Sequence, residues 1–209
     1  SSLVGAGREY TGADRLYLAG RLDRETSGVV LLGKTSEAGK TWQMAVEKRE
    51  VSRSYLAILK GELKNLKEVE THIGNDPDSP VFVKQRVTQP SRKSKLAQTS
   101  FLPLTAGKGH TLACVTTQTG RKHQIRVHAQ HIGHPLVGEK LYGDDENLYL
   151  EFCQNGWTNE LARALAMHRQ ALHSSSFGMT DGTRSFNAPM AADMEMFCLG
   201  EMGFSLEQL

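Results

Sequence analysis

The chain has 209 residues, of which 39% are hydrophobic and 23% are charged, and its net charge is +2. This is the composition of one ordinary globular domain that buries a sizeable core, and no low-complexity tract or internal repeat is visible. No apolar run approaches the length of a membrane span, and no signal peptide is recognisable. The three cysteines are odd in number and have no C-x-x-C spacing, so they indicate neither a disulfide framework nor a zinc knuckle.

This cysteine usage is typical of a reducing, intracellular setting, so we expect a cytoplasmic protein. The chain begins with Ser rather than Met, however. An organelle is therefore the alternative location, if an N-terminal targeting segment has been removed.

The first predicted element is a short apolar run, residues 29–32, within the segment GRLDRETSGVVLLGKT. Glycine on each side of the run is typical of an interior strand that is buried on both faces. Residues 26–28 then form the turn that feeds this strand, and Asp23 lies at the mouth of the turn. Residues 36–49 are predicted to be helical, because apolar residues recur there at a spacing of three and four.

The middle of the chain is predicted to be rich in strands, because apolar and polar residues alternate there. The predicted strands are residues 55–59, 69–73, 81–87, 99–104 and 111–117. A polar, basic loop is predicted at residues 88–95, and its Pro90 is typical of a loop.

A helix is predicted next, because Ile125, Ala129 and Ile132 fall at i, i+4 and i+7 and form one apolar stripe that ends at a glycine. The last predicted elements are a short helix at residues 159–167, a strand at 173–177 and a closing helix at 191–198. No position requires a linker. The sequence therefore predicts a single α+β domain with a mixed, mostly antiparallel sheet flanked by helices.

Charge is distributed unevenly along the chain. Residues 79–138 carry nine Lys and Arg and no Asp or Glu, whereas residues 139–209 carry four Lys and Arg and eleven Asp and Glu. A sustained positive potential of this kind is what polyanion binding requires. Five clustered basic residues are predicted to contact a nucleic-acid backbone: Lys84, Arg86, Arg92, Lys93 and Lys95. The alternative is an ordinary solvated face that is basic by chance.

Asp23 is the first candidate for chemistry, since Arg21 and Arg24 flank it and can orient it by charge-assisted hydrogen bonds. An oriented carboxylate at a strand entrance can act as a nucleophile or as a general base. The alternative is a structural aspartate that caps the turn by binding nearby backbone amides.

The second candidate is the segment 119–128. Arg121, Lys122 and His123 are expected in the first turn of its helix, where free amides and cations suit a phosphate or a carboxylate. Lys122 and Arg126 are four residues apart and are expected to share one basic face. A solvated basic face without a ligand is the alternative.

The same region holds four histidines: His123, His128, His131 and His134. Their spacing spreads them around a helix, and no acidic ligand is nearby. No metal site is therefore predicted.

Tyr55 is the third candidate, at the start of a predicted strand. A tyrosine in such a place usually belongs to the core and keeps a solvated hydroxyl. Its combination with Asp23 and with the segment 119–128 is what favours a functional role.

The chain resembles the RluA-type pseudouridine synthases in three segments: RLDRETSGVVLLGKT, SYLAILKG and TGRKHQIRVHAQHIGHPLVGEKLYG. They look like the three sequence signatures of that family, in the same order and with similar spacing. Further along, RQALH and FNAP resemble the family's C-terminal strand and end. The resemblance spans about residues 15–197.

In this family the Asp of R-L-D is the essential catalytic residue, and here that is Asp23. The resemblance implies that Tyr55 lies against the target base, that Arg126 pairs with Asp23 and that Ile125 lines the pocket. It also implies that Arg21 fills the space left by a flipped base. The predicted substrate-binding residues are Arg21, Thr26, Arg121, Lys122, His123 and Ile125.

The chain departs from the family pattern in three places. Gly20 stands where the family usually has His. The family's opening strand, which ends in Lys-Pro, is missing, and so is the small RNA-binding domain that precedes many members. We therefore expect residues 1–209 to be a catalytic domain that lacks its N-terminal strand or an N-terminal RNA-binding domain. The alternative is a member that recognises its target with the catalytic domain alone.

The resemblance implies an isomerase that converts a specific uridine of structured RNA, rRNA or tRNA, to pseudouridine by base flipping. The reaction needs no cofactor, and the sequence has no Gly-rich nucleotide-binding loop. RNA is the expected partner, and we expect a monomer without membrane contact. Two alternatives stay open: a non-catalytic RNA-binding protein that retains the fold, and a uridine-modifying methyltransferase, which would need a donor-binding βαβ unit and a reactive Cys.

Overall fold

The computed structural model of the chain describes residues 2–205. The helices in that range are α1 (Leu3–Thr11), α2 (Ser36–Glu47), α3 (Gln124–His131), α4 (Asn147–Asn155), α5 (Asn159–Ala164) and α6 (Ala192–Gly200). The strands are β1 (Tyr17–Leu18), β2 (Ser27–Gly28), β3 (Leu32–Gly33), β4 (Val51–Lys60), β5 (Lys67–Asn75), β6 (Gln85–Thr88), β7 (Lys95–Gly107), β8 (His110–Thr117), β9 (Leu172–Met179) and β10 (Ser185–Asn187). None of these helices is long and apolar enough to cross a membrane.

Eight of these strands form one sheet, in the order β10, β9, β4, β8, β7, β5, β6, with the short β2 added beside β9. The β2–β9 pair is parallel, and the other pairs of this sheet are antiparallel. β1 and β3 form a separate two-stranded sheet. The predicted α+β class with a mixed, mostly antiparallel sheet is confirmed.

Helix α3 covers one face of the sheet with its predicted apolar stripe. Ile125 and Ala129 are buried against strand residues such as Val115. On the opposite face, Phe197 of α6 is buried with Leu112 of β8. Because burying one such side chain contributes about 1.5–3 kcal/mol, the sheet holds both helices firmly.

Residues 29–32 do not form the single buried strand that their apolar run predicts. β2 ends just before the run, β3 begins at its last residue, and the residues between them are half-buried. At Gly28 the chain runs so close to β9 that a Cβ atom would lie 2.1 Å from the carbonyl oxygen of Ser174. The chain then leaves the large sheet to pair with β1, so its apolar side chains face a small cluster around Trp42 and an open cavity.

Several boundaries also differ from the predictions. The predicted strand 81–87 is reduced to β6, because the N–H of Lys84 donates to the carbonyl of Val81 at 2.9 Å and closes a turn. The helix predicted at 36–49 ends at Glu47, and Arg49 adopts a left-handed φ of 61°. The helix predicted at 159–167 ends at Ala164. Helices α1 and α4 carry no prediction.

Candidate active site

Asp23 lies in the loop between β1 and β2, and this loop is fastened to the sheet. The N–H of Thr26 donates to the carbonyl of Asp23 at 3.0 Å and closes a turn. Gln170 donates to the hydroxyl of Thr26 at 2.9 Å, and Ser27 Oγ hydrogen-bonds with His173 Nδ1 at 2.8 Å. The loop is thus bound to β9 and to the residues before it, which fixes the position of the Asp23 carboxylate.

Glu25 provides a second anchor for the same loop. The Nζ of Lys140 lies 2.9 Å from both carboxylate oxygens of Glu25, although the Lys140 side chain is only 1% exposed. The same nitrogen donates to the carbonyl of His168 at 2.8 Å and lies 4.6 Å from the ring centre of Phe152, a favourable cation–π arrangement. A buried cation that is satisfied in this way holds the chain two residues from Asp23.

Asp23 meets Arg126 at the first turn of α3. The Nη1 of Arg126 donates to Asp23 Oδ2 at 3.3 Å, and the two side chains are 8% and 26% exposed. Among residues 2–205, this is the only hydrogen bond that the Asp23 side chain makes. The carboxylate therefore points at a guanidinium, and it does not cap the turn by binding backbone amides.

The main partner of Arg126 is Glu139. The Nε and Nη2 of Arg126 donate to the two carboxylate oxygens of Glu139 at 2.8 and 2.6 Å, a bidentate pair. Glu139 also accepts from the backbone N–H groups of Leu141 and Tyr142 at 3.0 and 3.3 Å. The ring of Tyr142 lies 4.9 Å from the guanidinium carbon. Arg126 is thus fixed from behind, and one of its nitrogens is left for Asp23.

Burial opposes both charges of this pair, but their mutual attraction is stronger. Burial by itself would lower the pKa of Arg126, yet the Glu139 carboxylate, and then Asp23, raise it above its ordinary value. Burial would raise the pKa of Glu139, whereas the charge and the hydrogen bonds of Arg126 lower it. Both groups are therefore charged at neutral pH.

Tyr55 reaches the same place from β4. It is paired with Ser174 of β9, and the following residue, Ser175, has no partner on β4. A bulge of this kind re-aims neighbouring side chains. Burial raises the pKa of Tyr55, the charge of Arg53 lowers it, and Asp23 raises it again. The Tyr55 hydroxyl is therefore protonated at neutral pH, and its ring can pack against a flat ligand.

The turn before α3 is held by the buried side chain of Gln124. Its Oε1 accepts from the hydroxyl of Thr119 at 2.7 Å and from the N–H of Arg121 at 3.0 Å. Its Nε2 donates to the carbonyl of Gln98 and to the hydroxyl of Thr99, both at 2.9 Å. The turn that carries the basic residues is thus bound to β7.

His123 is the residue at which this turn becomes α3, and its φ of 55° lies in the left-handed region. Its Nδ1 hydrogen-bonds with the Tyr142 hydroxyl at 2.6 Å. Burial, and then the charge of Arg126, lower the pKa of His123 to about 4, so the ring is neutral at pH 7. Lys122 precedes the helix and is exposed, whereas Arg126 is buried, so the expectation that these two share one basic face is wrong.

These elements surround an open cavity of about 730 Å³. The predicted site residues that line it are Arg21, Asp23, Thr26, Tyr55, Arg121, Lys122, His123 and Ile125. Arg126 lies behind Asp23. The lining also includes Arg53 and Phe177, which carry no prediction.

The five clustered basic residues lie away from the cavity lining, in the turn just before β6, on β6, on the loop after it and at the start of β7: Lys84, Arg86, Arg92, Lys93 and Lys95. Lys84 binds Glu146 at 2.7 Å, and Arg86 lies 3.3 Å from Asp76. Carboxylates from outside the acid-free segment thus compensate these two charges. The other three are exposed, and none of the ion pairs among residues 2–205 involves them.

The four histidines of the third signature lie in different surroundings. His128 is buried between the hydroxyls of Thr71 and Thr99, at 3.0 and 2.8 Å, whereas His131 is exposed. His134 hydrogen-bonds with a backbone carbonyl at 2.9 Å. Across residues 2–205, no three His, Cys, Asp or Glu side chains are grouped closely enough to hold a metal ion.

A sequence model of the family described as RNA pseudouridylate synthase matches residues 3–131. The chain belongs to this family. The matched part runs from α1 to the end of α3 and so includes Asp23, Tyr55 and Arg126. The predicted membership of the pseudouridine synthases is confirmed.

Curated RNA pseudouridine synthases are similar to most of the chain. YjbO of Bacillus subtilis, named an uncharacterized RNA pseudouridine synthase, is 34% identical over 191 residues. The ribosomal large subunit pseudouridine synthase D of Neisseria meningitidis is 31% identical over 190 residues. Both alignments cover 89% of this chain but 59% and 48% of the relatives. The chain therefore spans about half the length of the curated relatives that it matches.

Two solved structures share the fold. Human RNA pseudouridylate synthase domain containing 1 superposes with a TM-score of 0.72 at 21% identity, over 96% of this chain and 80% of that one. Human RNA pseudouridylate synthase domain containing 4 also superposes with a TM-score of 0.72, at 22% identity, over 94% of this chain and 80% of that one. The pseudouridine synthase fold is thereby confirmed.

Three residues that hold the site in place were not predicted from the sequence: Glu139, Lys140 and Tyr142. All three lie within the third signature. A signal was present, because Glu139 is the first carboxylate after the 60 residues 79–138 that have none. A buried arginine requires a counter-charge, and Glu139 is the nearest that the sequence offers downstream of Arg126.

Proposed function

We propose that the protein is an isomerase that converts a specific uridine of structured RNA to pseudouridine, with Asp23 as its essential catalytic residue. The observation that carries the proposal is the 3.3 Å contact between Asp23 and Arg126, beside Tyr55, in the wall of a cavity of about 730 Å³. This volume is within the range of sites that hold a small ligand. Membership of the family supports the reaction.

In this isomerisation the bond from ribose C1′ to uracil N1 breaks, and a bond from C1′ to C5 forms. C5 loses a proton and N1 gains one, so substrate and product contain the same atoms and no group donor or oxidant is required. Asp23 acts on the ribose, either as a nucleophile at C1′ or as a base that removes the 2′ proton. Arg126 aims the carboxylate, because Glu139 fixes the guanidinium from behind.

A uridine that is stacked in a helix cannot reach Asp23, so it is extruded. Unstacking and unpairing the base costs roughly a few kcal/mol. Tyr55 and Ile125 then provide apolar surface for the uracil. Arg21 is exposed two residues from Asp23 and fills the vacated space. Thr26 acts indirectly, since its hydroxyl is bound to Gln170 and fixes the loop.

The charges of the cavity favour RNA as the partner. Four Arg and one Lys line it, against one Asp and one Glu. A cleft of one sign concentrates the opposite charge, so it attracts phosphates. Lys93 and Lys95 add exposed positive charge outside the cavity, near the start of β7, and we infer that they contact the RNA backbone. Ribosomal RNA is the favoured substrate, because a similar protein is named for the large ribosomal subunit, and tRNA is the alternative. We infer that the protein acts as a cytoplasmic monomer without a cofactor.

Tritium release tests this proposal. RNA labelled with tritium at C5 of uridine is expected to lose tritium when the wild-type protein is added alone, and to keep it with Asp23→Asn. A non-catalytic RNA-binding protein would bind the RNA without release, and a methyltransferase would release tritium only with an added methyl donor. Mapping pseudouridine in cells that lack the protein then identifies the target.

A further inference from the structure

Arg53 is a cavity residue to which the proposed reaction gives no role. It precedes Tyr55 by two positions on β4, so both side chains lie on the same face of the strand, about 7 Å apart along it. Its guanidinium carbon lies 5.7 Å from the ring centre of Phe177, and the residue is half-buried in the cavity wall. Arg53 is thus part of the wall and does not extend into solvent.

Within residues 2–205, no carboxylate lies close enough to Arg53 to form an ion pair. The buried cations Arg126 and Lys140, by contrast, each bind a carboxylate. Burial lowers the pKa of Arg53, and the neighbouring Tyr55 opposes this shift only in part. A guanidinium that is removed from water without an anion is unfavourable. An anion that binds in the cavity would therefore compensate the charge of Arg53.

The other cations of the cavity lining are either exposed to solvent or already hydrogen-bonded to the protein. Three of them are exposed, and Arg121 directs its Nε to a backbone carbonyl at 2.9 Å. Gly120 also leaves room for Arg53, because a Cβ atom at Gly120 would lie 3.3 Å from the Nη1 of Arg53. The guanidinium of Arg53 therefore lies between the turn that starts α3 and the ring of Phe177.

We propose that Arg53 binds a phosphate of the target nucleotide, the one whose ribose lies at Asp23 and whose uracil lies at Tyr55. This inference rests on the proposed function. A guanidinium donates two parallel N–H groups to phosphate oxygens. A phosphate held in this way fixes the ribose C1′ relative to Asp23, which is a positioning effect.

The test combines variants of Arg53 with changes in the RNA. A synthetic RNA stem-loop that the wild-type protein converts is prepared with a neutral methylphosphonate at one or the other phosphate that flanks the target uridine. At one of these positions the substitution is expected to lower the wild-type kcat/KM by about ten- to a hundredfold. Arg53→Gln should lower kcat/KM on the unmodified RNA by a similar factor, and it should then show no further loss with that methylphosphonate.

Arg49→Gln is the matched control, because it removes an exposed positive charge from the same cavity lining. It should keep the full methylphosphonate penalty. Arg53→Lys retains the charge without the planar fork, so its loss should be intermediate, and it serves as the second variant if Arg53→Gln melts at a lower temperature. Losses from Arg53→Gln and the methylphosphonate that multiply at both flanking positions would overturn the proposal.

Failure of the proposed function has a different signature. The wild-type protein would then release no tritium from any RNA. The same cycle of variants would be measured through the Kd for a stem-loop that the protein binds, with the methylphosphonate placed at each phosphate in turn. A methylphosphonate penalty in Kd that disappears only in Arg53→Gln would still support a phosphate site. Equal penalties in the wild type and in Arg53→Gln would contradict it.

Discussion

Arg126 is held by two hydrogen bonds from its side chain to Glu139, of 2.8 and 2.6 Å, and by one to Asp23, of 3.3 Å. The buried glutamate therefore sets the position of the guanidinium, and Asp23 is aimed by the nitrogen that remains. Because the two contacts differ in burial and geometry, their loss has different consequences for stability and for catalysis.

Asp23→Asn is expected to abolish isomerisation and to leave RNA affinity within a few-fold of the wild type, because an amide keeps the shape but cannot act as nucleophile or base. Tritium release and an RNA-binding titration measure the two effects. Asp14→Asn, at an exposed position, is the matched control and should retain full turnover. Turnover of Asp23→Asn close to that of the wild type would remove Asp23 from the catalytic role.

Arg126→Lys is expected to reduce turnover by about a hundredfold, because a lysine point charge cannot bind Glu139 with two hydrogen bonds and still reach Asp23. Single-turnover kinetics measure this loss, and melting curves confirm that the variant is folded. The losses from Asp23→Asn and Arg126→Lys should be strongly non-additive in the double variant if the two residues act as a unit. A silent Arg126→Lys, or losses that simply multiply, would leave Asp23 to be oriented by Arg21 or Arg24.

Arg126→Ala is expected to lower the free energy of unfolding at pH 7 by about 3–5 kcal/mol, because it leaves the Glu139 charge buried without its partner. In the wild type the pKa of Glu139 is lowered, so the pair's stabilisation is present above the pKa of an unfolded Glu and is lost as the pH falls through the lower, folded value. In the variant burial instead raises the pKa of Glu139. The deficit should therefore shrink as the pH falls from 7 toward 5.

Denaturant unfolding at several pH values tests whether the stability deficit of Arg126→Ala shrinks as the pH falls. The double variant with Glu139→Gln should recover part of the loss at pH 7, since no unpaired charge remains. Lys60→Ala, which breaks the exposed pair with Asp144, is the control and should change stability by less than about 1 kcal/mol. An Arg126→Ala deficit that does not depend on pH would mean that lost packing, and not the unpaired charge, is the cause.

Changing Lys93 and Lys95 together to Ala is expected to weaken binding across RNA sequences and to reduce the salt slope by about two, one for each phosphate contact. Lys84 and Arg86 are the comparison pair, because carboxylates already compensate their charges. Their double Ala variant should change the slope less. Kd values measured over a range of salt concentrations give both slopes. Equal slopes for the wild type and the Lys93/Lys95 variant would show that the loop is an ordinary solvated surface that does not bind RNA.

Features that depend on local pattern could be predicted from the order of the residues. The i, i+4, i+7 spacing of Ile125, Ala129 and Ile132 gave the helix α3 and its buried side, because helical periodicity is a property of neighbouring residues. The three signatures gave the family and drew attention to Asp23, Tyr55 and Arg126. The alternation of the middle segments gave a sheet that is mostly antiparallel.

Which distant side chains contact each other could not be predicted in this way, because it depends on the folded chain. The partner of Lys84 is 62 residues away at Glu146, and no local pattern encodes that distance. The apolar run at 29–32 begins beside β9, where the N–H of Val29 donates to Ser174 at 2.9 Å, and its last residue pairs with β1 in the other sheet. Glu139 lies beyond a turn from Arg126, and only the folded chain brings its carboxylate to the guanidinium. Ion pairs and strand partners depend on where the chain returns in space, and the free energy that selects them is released only when the whole core is buried.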